Sequence, residues 1–311
     1  MSDAIWDWQP ASPAYSCQAV SLLRLDGADS RRVLHGQTTA AIATAEPGQW
    51  IATCCITATA RMLALAVVLV DATGAWLAVT DGDGTQVHQA LDRVLFPADQ
   101  VRLGDPEPAW WLMPVNAAPR PAAGGAWQPL ASDRGWQLGT ALLVRDLEAL
   151  PPPWQGLRRL QPTEQERWRL QQGRPAVPGE INGDHNPFEL GLADRVSLSK
   201  GCYVGQETLA KLASYDGVKQ QLRRWHWPAT AGEQPPEAGD TLRDGNGGRL
   251  GQITSMLELD DGQRIGLALV RRQGLALHQL LAGEGATAAR LAVSTPEWFL
   301  PPPVGAGAQS S

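Results

Sequence analysis

The most informative segment of this 311-residue chain is the octapeptide KGCYVGQE, residues 200–207. Gly201 and Gly205 bracket a short run that holds a thiol and a phenol. Glycines at this spacing allow tight turns and a close approach of two backbones. The leucines that follow, Leu209 and Leu212, lie on one face of a helix that we expect to begin at about Glu207.

Cys202 is the reactive group of this segment. A nearby ammonium, Lys200, and the start of the expected helix both favour a thiolate. Such a thiolate could act as a nucleophile, as a ligand of a metal or cluster, or as a redox contact. The alternative is a turn in which the cysteine is only a small buried residue.

The lysines of the chain are confined to the same region. All three, Lys200, Lys211 and Lys219, fall within 20 residues, whereas the other 23 cationic side chains are arginines. An ammonium and a guanidinium are not interchangeable beside a thiol or a bound anion. We therefore expect Lys200 to tune Cys202 or to meet an anion.

Charge and hydropathy exclude several classes of protein. The formal net charge of −6 provides no overall basic field, so direct nucleic-acid binding is not expected. The longest apolar run, Met62–Val70, has nine residues, whereas a membrane-spanning helix needs ~20. No membrane partner is expected.

The four cysteines are Cys17, Cys54, Cys55 and Cys202, and they form no C-x-x-C pair. A structural metal site is therefore not expected. The first residues are acidic and lack the basic region of a signal peptide. Together these features predict reduced thiols and a cytoplasmic location.

Hydrophobic periodicity predicts an α+β fold with mainly antiparallel sheets. The expected strands of the first half are 20–25, 50–57, 61–70 and 76–80, and the expected helices are 28–35 and 85–96. A Pro/Ala/Gly-rich loop is expected over 114–129, followed by a helix over 163–172 that Thr163 and Glu166 would cap.

Short strands with turn signals predict a small antiparallel β-barrel at the C-terminal end. One pair, 251–259 and 265–270, flanks Asp260-Asp261-Gly262 and reads as a hairpin. The expected domains are 1–222, with two subdomains joined near 110–160, then the barrel at 223–300 and a disordered tail at 301–311.

Motifs of several familiar enzyme classes are absent. The chain contains no G-x-S-x-G, H-E-x-x-H, Walker or G-x-G-x-x-G pattern. The run Asp81-Gly82-Asp83-Gly84 is assigned to a turn rather than to a calcium loop, since its sixth position is Gln86.

The octapeptide matches the K-G-C-[FY]-x-G-Q-E signature of the YgfZ family. These are folate-binding, iron–sulfur-maturation proteins related to the T-protein of the glycine cleavage system (GcvT). The chain also resembles the family in four further segments, which are 34–39, 186–192, 217–222 and 251–255.

The resemblance implies a T-protein-like (GcvT-like) folate-binding fold, a tetrahydrofolate or other folate ligand, and support for iron–sulfur client enzymes. Those clients would bind transiently and include radical tRNA-modifying enzymes. Cys202 would be the functional thiol, assisted by Lys200. The residues assigned to the folate site are Lys200, Tyr203, Gln206, Glu207, Arg169, Gln171 and Arg61.

Departures from the related T-proteins point away from aminomethyl transfer. The chain has no carboxylate between Cys54 and Val70, where T-proteins carry a catalytic acid. Gln171 replaces a pterin-reading glutamate, and an amide cannot act as a carboxylate acceptor. The chain also departs from the YgfZ family's own pattern, in which Ala60 replaces a glycine and Ala40-Ala41 replace an Asn-Asp pair.

Two alternatives remain open. The first is a folate-dependent aminomethyl or one-carbon transferase, in which Glu180, Asp184 or Glu189 would supply the missing carboxylate. The second is a cysteine-dependent enzyme with His185 or His226 as its base. We expect no conventional enzyme activity. If the protein does catalyse a reaction, we expect it to be a transferase.

Overall fold

The computed structural model describes residues 3–115, 122–148 and 150–304. Its first part is a ten-stranded sheet. The strands are β1 (Ala14–Asp26), β2 (Gln49–Ile56), β3 (Met62–Val70), β4 (Gly74–Gly82), β5 (Arg102–Leu103), β6 (Glu107–Pro114), β7 (Gly124–Pro129), β8 (Gly135–Leu138), β9 (Ala141–Val144) and β10 (Arg158–Arg159).

The long strand β1 organises this sheet. It pairs with β6 over Tyr15–Leu22 and with β4 over Ser21–Asp26. Both pairings are antiparallel, as are the others in the sheet except the short parallel contact of β1 with β10. The order of strands from β4 through β3, β2, β7, β8 and β9 to β6 therefore leads back to β1.

Five α-helices accompany the strands in the described part of the chain. They are α1 (Ser30–Gln37), α2 (Gly84–Asp92), α3 (Pro152–Gln155), α4 (Pro162–Gln172) and α5 (Gln206–Ser214). Val33 of α1 and Val87 of α2 join the same apolar cluster with residues from one face of the sheet. Leu209 of α5 packs in a second cluster that joins the sheet to the C-terminal strands.

The C-terminal strands form a closed antiparallel barrel. They are β11 (Gln220–Trp227), β12 (Thr241–Arg243), β13 (Arg249–Glu258), β14 (Arg264–Arg271), β15 (Gln279–Ala282) and β16 (Ala289–Ser294). The expected hairpin is β13–β14, and the α+β fold class with its small barrel is confirmed. We propose that the C-terminal unit begins with β11, slightly before the expected boundary.

Two local expectations are wrong. The expected loop over 114–129 contains β7, which pairs with β2 and β8. Strand pairing uses backbone N–H and carbonyl groups, and glycine carries these like any other residue. Residues 116–121 of that loop lie outside the described part of the chain. The carboxylate of Glu164, rather than Glu166, caps α4, since it accepts the N–H of Gln161 at 2.9 Å.

The remaining expectations concern the tail and the membrane. Of the expected disordered tail, residues 305–311 lie outside the described residues, and 301–304 follow no helix or strand. Within the described ranges, no helix combines the length and the apolar character that crossing a bilayer requires.

A buried carboxylate joins the barrel to the first part of the molecule. Glu180 is fully buried, and its Oε2 accepts hydrogen bonds from Arg169 Nη1 at 3.2 Å and from the N–H of Ala176 at 3.0 Å. Its Oε1 accepts the hydroxyls of Thr254 at 2.5 Å and Ser255 at 2.7 Å. The four acceptor positions of the carboxylate are thus filled.

These hydrogen bonds give a structural role to two residues of segment 251–255, one of the segments that resemble the YgfZ family. Its two hydroxyl residues lie on β13 of the barrel, whereas Arg169 lies on α4. Because a buried charge is costly unless it is fully hydrogen-bonded, Glu180 holds the barrel and α4 in one relative position.

We expect Glu180→Gln to lower the free energy of unfolding by about 2–4 kcal/mol, because an amide leaves Arg169 without its buried partner and loses acceptor positions. Urea denaturation measures the change. The control is Glu207→Gln, which removes only the exposed 2.6 Å pair with Lys211 and should cost less than ~0.5 kcal/mol. Equal effects of the two substitutions would contradict this role of Glu180.

Candidate functional site

The octapeptide docks onto the C-terminal end of α1. The N–H of Val204 donates to the carbonyl of Gly36 at 3.0 Å, and His35 Nε2 lies 2.8 Å from the carbonyl oxygen of Lys200. Residues 34–39 and 200–207, which the sequence marks separately, therefore form one contact in the fold.

Lys200 takes part in this contact through its side chain. Its Nζ donates to the carbonyls of His35 and Thr38, the latter at 2.7 Å, and lies 4.3 Å from the centre of the Tyr203 ring. Carbonyls at a helix C-terminus need such donors, and cations are favoured there. Burial lowers the pKa of the ammonium to about 7. The contacts of the ammonium are therefore with α1 and Tyr203.

Position 205 requires glycine because the turn between β2 and β3 lies very close to its backbone. Its φ is +77°, and a Cβ there would lie 2.7 Å from the carbonyl oxygen of Thr57 and 2.8 Å from Ile56 Cδ1. On the opposite side of the contact, Ala60 adopts φ of 60°, a left-handed conformation that suits the glycine it replaces in the family pattern. The turn between β2 and β3 is thereby fitted against the start of α5.

Most other side chains of the octapeptide have structural contacts. Tyr203 is buried in the cluster with Leu209, and burial raises its pKa to about 12. Glu207 is exposed and pairs with Lys211, and Gln206 is the first residue of α5. Cys202, by contrast, is exposed on the loop before α5, whereas the other three cysteines are buried.

A large cavity of about 950 Å³ lies elsewhere, between the sheet, α4 and the barrel. Its walls include Gln18 of β1, Asp81 of β4, Arg169 of α4, and residues of β13 and β14. This volume lies in the range of small-molecule sites. None of the residues 200–207 is among its lining residues.

A smaller inner cavity of about 70 Å³ adjoins the large one, because Asp81 and Arg174 line both. Its walls are mainly apolar, with three indoles from Trp50, Trp111 and Trp298. A second guanidinium, that of Arg195, also lines it, together with Thr80. The two cavities offer aromatic surface with charged groups at one edge.

Gln18 links the charged groups that the cavities share. Its Oε1 accepts from Arg174 Nη2 at 3.2 Å, and its Nε2 donates to Asp81 Oδ2 at 3.0 Å. Burial raises the pKa of Asp81 and lowers that of Arg174 to about 10. The Arg174 guanidinium also lies over the Trp168 ring, at 5.4 Å from its centre.

The remaining residues that the sequence assigned to the folate site are scattered. Arg169 lines the large cavity but is bound to Glu166 at 2.6 Å as well as to Glu180. Gln171 lines neither cavity, and residues two apart on a helix point in nearly opposite directions. Arg61 donates to the carbonyl of Asp184, which lies at the rim of the large cavity.

The alternative acids and bases are also separated. Asp184 lines the large cavity, whereas Glu189 is buried and accepts the N–H of Asn186 at 3.0 Å. His185 lines the same cavity, and burial lowers its pKa. His226 lies in the barrel, where its Nε2 is 2.5 Å from Gln263 Oε1. Within the described residues, no group of three or more His, Cys, Asp or Glu could hold a metal ion.

Asp81 and Arg174 are the site residues that the sequence reading missed. The sequence assigns the run from Asp81 to Gly84 to a turn, since its sixth position as a calcium loop is Gln86. Asp81 instead lies in β4, and Asp83 caps α2 by accepting the N–H of Thr85 at 2.8 Å. Arg174 follows Gly173, the residue that ends α4, and belongs to none of the motifs described above. No local pattern brings the two residues together.

Comparisons with known proteins agree with the sequence resemblance. A scan against models of protein families finds no match. The chain is 28% identical over 269 residues to the tRNA-modifying protein YgfZ of Klebsiella pneumoniae, covering 78% of this chain and 80% of that protein. It is 32% identical to YgfZ of Aliivibrio fischeri, but over only 33% of this chain and 34% of that protein.

A plant relative is similar over a longer stretch. An Arabidopsis thaliana chloroplastic protein, named provisionally as a transferase, is 28% identical over 290 residues, which are 82% of this chain and 64% of that protein. The chain thus spans less than two thirds of the length of this relative and about a third of the Aliivibrio one.

The fold is that of a T-protein. The structure of glycine cleavage system aminomethyltransferase T from Bartonella henselae superposes with a TM-score of 0.70, covering 92% of this chain and 86% of that one. At 15% identity this likeness concerns the fold alone. The resemblance to YgfZ and to the T-protein fold, inferred from the sequence, is confirmed.

We expect Gly205→Ala to lower the free energy of unfolding by about 3 kcal/mol, because its Cβ would overlap Thr57 and Ile56 in addition to straining the backbone. Gly201→Ala is the matched control. Gly201 has φ of +99° with no atom near a Cβ, so that only strain of ~1–2 kcal/mol is expected. Thermal denaturation measures both, and a larger loss for Gly201→Ala would contradict the close approach.

We expect Lys200→Met to destabilise the protein by about 1–3 kcal/mol, because the carbonyls of His35 and Thr38 lose their donor. Lys219→Met, at an exposed position, is the control and should change stability by less than ~0.5 kcal/mol. Urea titrations provide the comparison, and equal midpoints for the two variants would refute the capping role.

Proposed function

We propose, starting from the similarity of this chain to YgfZ and its T-protein fold, that the protein binds a folate and supports iron–sulfur cluster assembly or repair in client enzymes. The observation that carries the folate proposal is the pair of adjoining cavities that share Asp81 and Arg174. Radical tRNA-modifying enzymes are the clients that we propose, because YgfZ relatives are named as tRNA-modifying proteins.

The cavities fit the chemistry of a folate. A pteridine ring is flat and carries both hydrogen-bond donors and acceptors on its edge, and the inner cavity offers indole surface beside Asp81 and Arg174. The carboxylates of a glutamate tail require cationic partners, and Arg249 and Arg271 line the large cavity. We propose that tetrahydrofolate lies along this path.

Cys202 is proposed to act separately from the folate. It is exposed and lies on a loop that Gly205 and Lys200 fix in place. An exposed thiol at a fixed position can meet a client protein, whereas a buried one cannot. The four free cysteines suit a reducing compartment, and we propose a cytoplasmic location.

A transferase is the second candidate, and one observation favours it. The sequence reading argued against transfer because no carboxylate follows Cys54 on β2 and β3. Carboxylates nevertheless reach the large cavity from other elements, namely Asp81 of β4, Glu166 of α4 and Asp184 of the following loop. Aminomethyl transfer requires a carboxylate in the ligand site. These acids supply one, whereas β2 and β3 carry none after Cys54.

Titration with tetrahydrofolate under anaerobic conditions tests the folate proposal. We expect saturable quenching of tryptophan fluorescence, because three indoles line the inner cavity. Absence of saturation would remove the folate from both candidate functions. Turnover of an aminomethyl donor, with release of ammonia, would favour the transferase.

Cys202→Ser tests whether the thiol works apart from the cavities. We expect its affinity for tetrahydrofolate to stay within about 2-fold of the wild-type value, because Cys202 lines neither cavity. In cells that lack their own YgfZ-type protein, the variant should fail to support an iron–sulfur tRNA-thiolating enzyme. Cys17→Ser, at a buried position, is the control. Full support by Cys202→Ser would contradict the role of this thiol.

A further inference from the structure

Asp81 reaches the cavities through an irregularity in strand pairing. Along β3 and β4, Leu65 pairs with Asp81 and Ala66 pairs with Val79, so that Thr80 is an extra residue in β4. In a regular strand, successive side chains point to opposite faces. Here Thr80 and Asp81 both line the inner cavity. A β-bulge that re-aims a side chain in this way is typical of functional sites.

The Asp81 carboxylate has unused acceptor capacity. Its Oδ1 accepts the N–H of Val177 at 2.9 Å, and its Oδ2 accepts Gln18 Nε2 at 3.0 Å. A carboxylate offers about four acceptor positions, all of which are filled in Glu180, whereas the described residues fill only two in Asp81. Among the described residues, no cation lies within ion-pair distance of Asp81. The guanidiniums of Arg174 and Arg169 act on Asp81 electrostatically without forming such a pair, and Arg174 is bonded to Gln18.

A second group near the inner cavity has an unsatisfied donor. Arg195 is a lining residue, and its buried Nε has no hydrogen-bond partner among the described residues. A ligand that satisfies both groups must carry hydrogen-bond donors and acceptors, and must be flat to lie against Trp50 and Trp111. A carboxylate accepts two parallel N–H bonds from an edge with adjacent donors, as it does from a guanidinium.

We propose that Asp81 binds the adjacent ring N–H and 2-amino groups of a 2-aminopyrimidinone ring, and so selects the ligand of these cavities. This inference deepens the folate proposal and rests on it, because a pterin contains this edge. Gln171, the position at which the sequence comparison expected such reading, lines neither cavity. In this proposal Asp81 of β4 binds that edge, instead of Gln171 of α4.

The test compares two ligands and two variants by anaerobic calorimetry. The ligands are tetrahydrofolate and its 2-desamino analogue, which has hydrogen in place of the 2-amino group. Wild-type protein should bind tetrahydrofolate about 10- to 100-fold more tightly, since a hydrogen bond to a charged group is lost with the analogue. Asp81→Asn should weaken tetrahydrofolate binding by a similar factor and change the affinity for the analogue by less than about 3-fold.

The control is Asp92→Asn, which makes the same change in charge at an exposed position outside both cavities and should keep the discrimination. Equal weakening of both ligands by Asp81→Asn would overturn the inference, because Asp81 would then only fasten the loop at Val177. Should that variant fail to fold, equal binding of the two ligands by wild-type protein would overturn it as well. Binding of neither ligand to wild-type protein would instead refute the folate proposal itself.

Discussion

The hydrogen bonds of the Glu180 carboxylate are the interaction on which the arrangement of the molecule depends. They join the guanidinium of α4 to two hydroxyls on β13 of the barrel, and no solvent reaches the carboxylate. A charge in such a place is stable only with all its partners present, so the barrel has one position relative to α4. The large cavity has residues of both elements in its walls, so this junction also contributes to its shape.

Two buried carboxylates therefore have opposite roles. Glu180 uses its full capacity within the protein and connects parts of the fold. Asp81 uses about half of its capacity within the part of the chain that the structure describes. It lines two cavities, and burial raises its pKa. A fully bonded carboxylate resists change, whereas a partly bonded one has acceptor positions left for a ligand. The difference in hydrogen bonding, rather than residue type, separates the structural acid from the proposed binding acid.

The motif that identifies the relatives lies apart from these cavities. The contacts of residues 200–207 consist of packing and capping, in which Lys200 binds the end of α1 and Gly205 admits the turn after β2. These contacts present one exposed thiol, that of Cys202. A protein with an internal ligand site and a separate surface thiol can bind a small molecule and meet a partner at the same time.

The sequence alone determined the α+β class, the β13–β14 hairpin and the segment around Cys202, because periodicity and turn chemistry act over a few residues. The sequence also pointed to Arg169, which lines the large cavity. It grouped Arg169 with Gln171, but residues two apart on a helix point in nearly opposite directions, and Gln171 lines neither cavity. Only the tertiary structure placed Asp81 and Arg174 together. They lie 93 residues apart in the chain, and a bulge in strand pairing aims the carboxylate. Such a bulge depends on the register between two strands, which no local pattern of residues records.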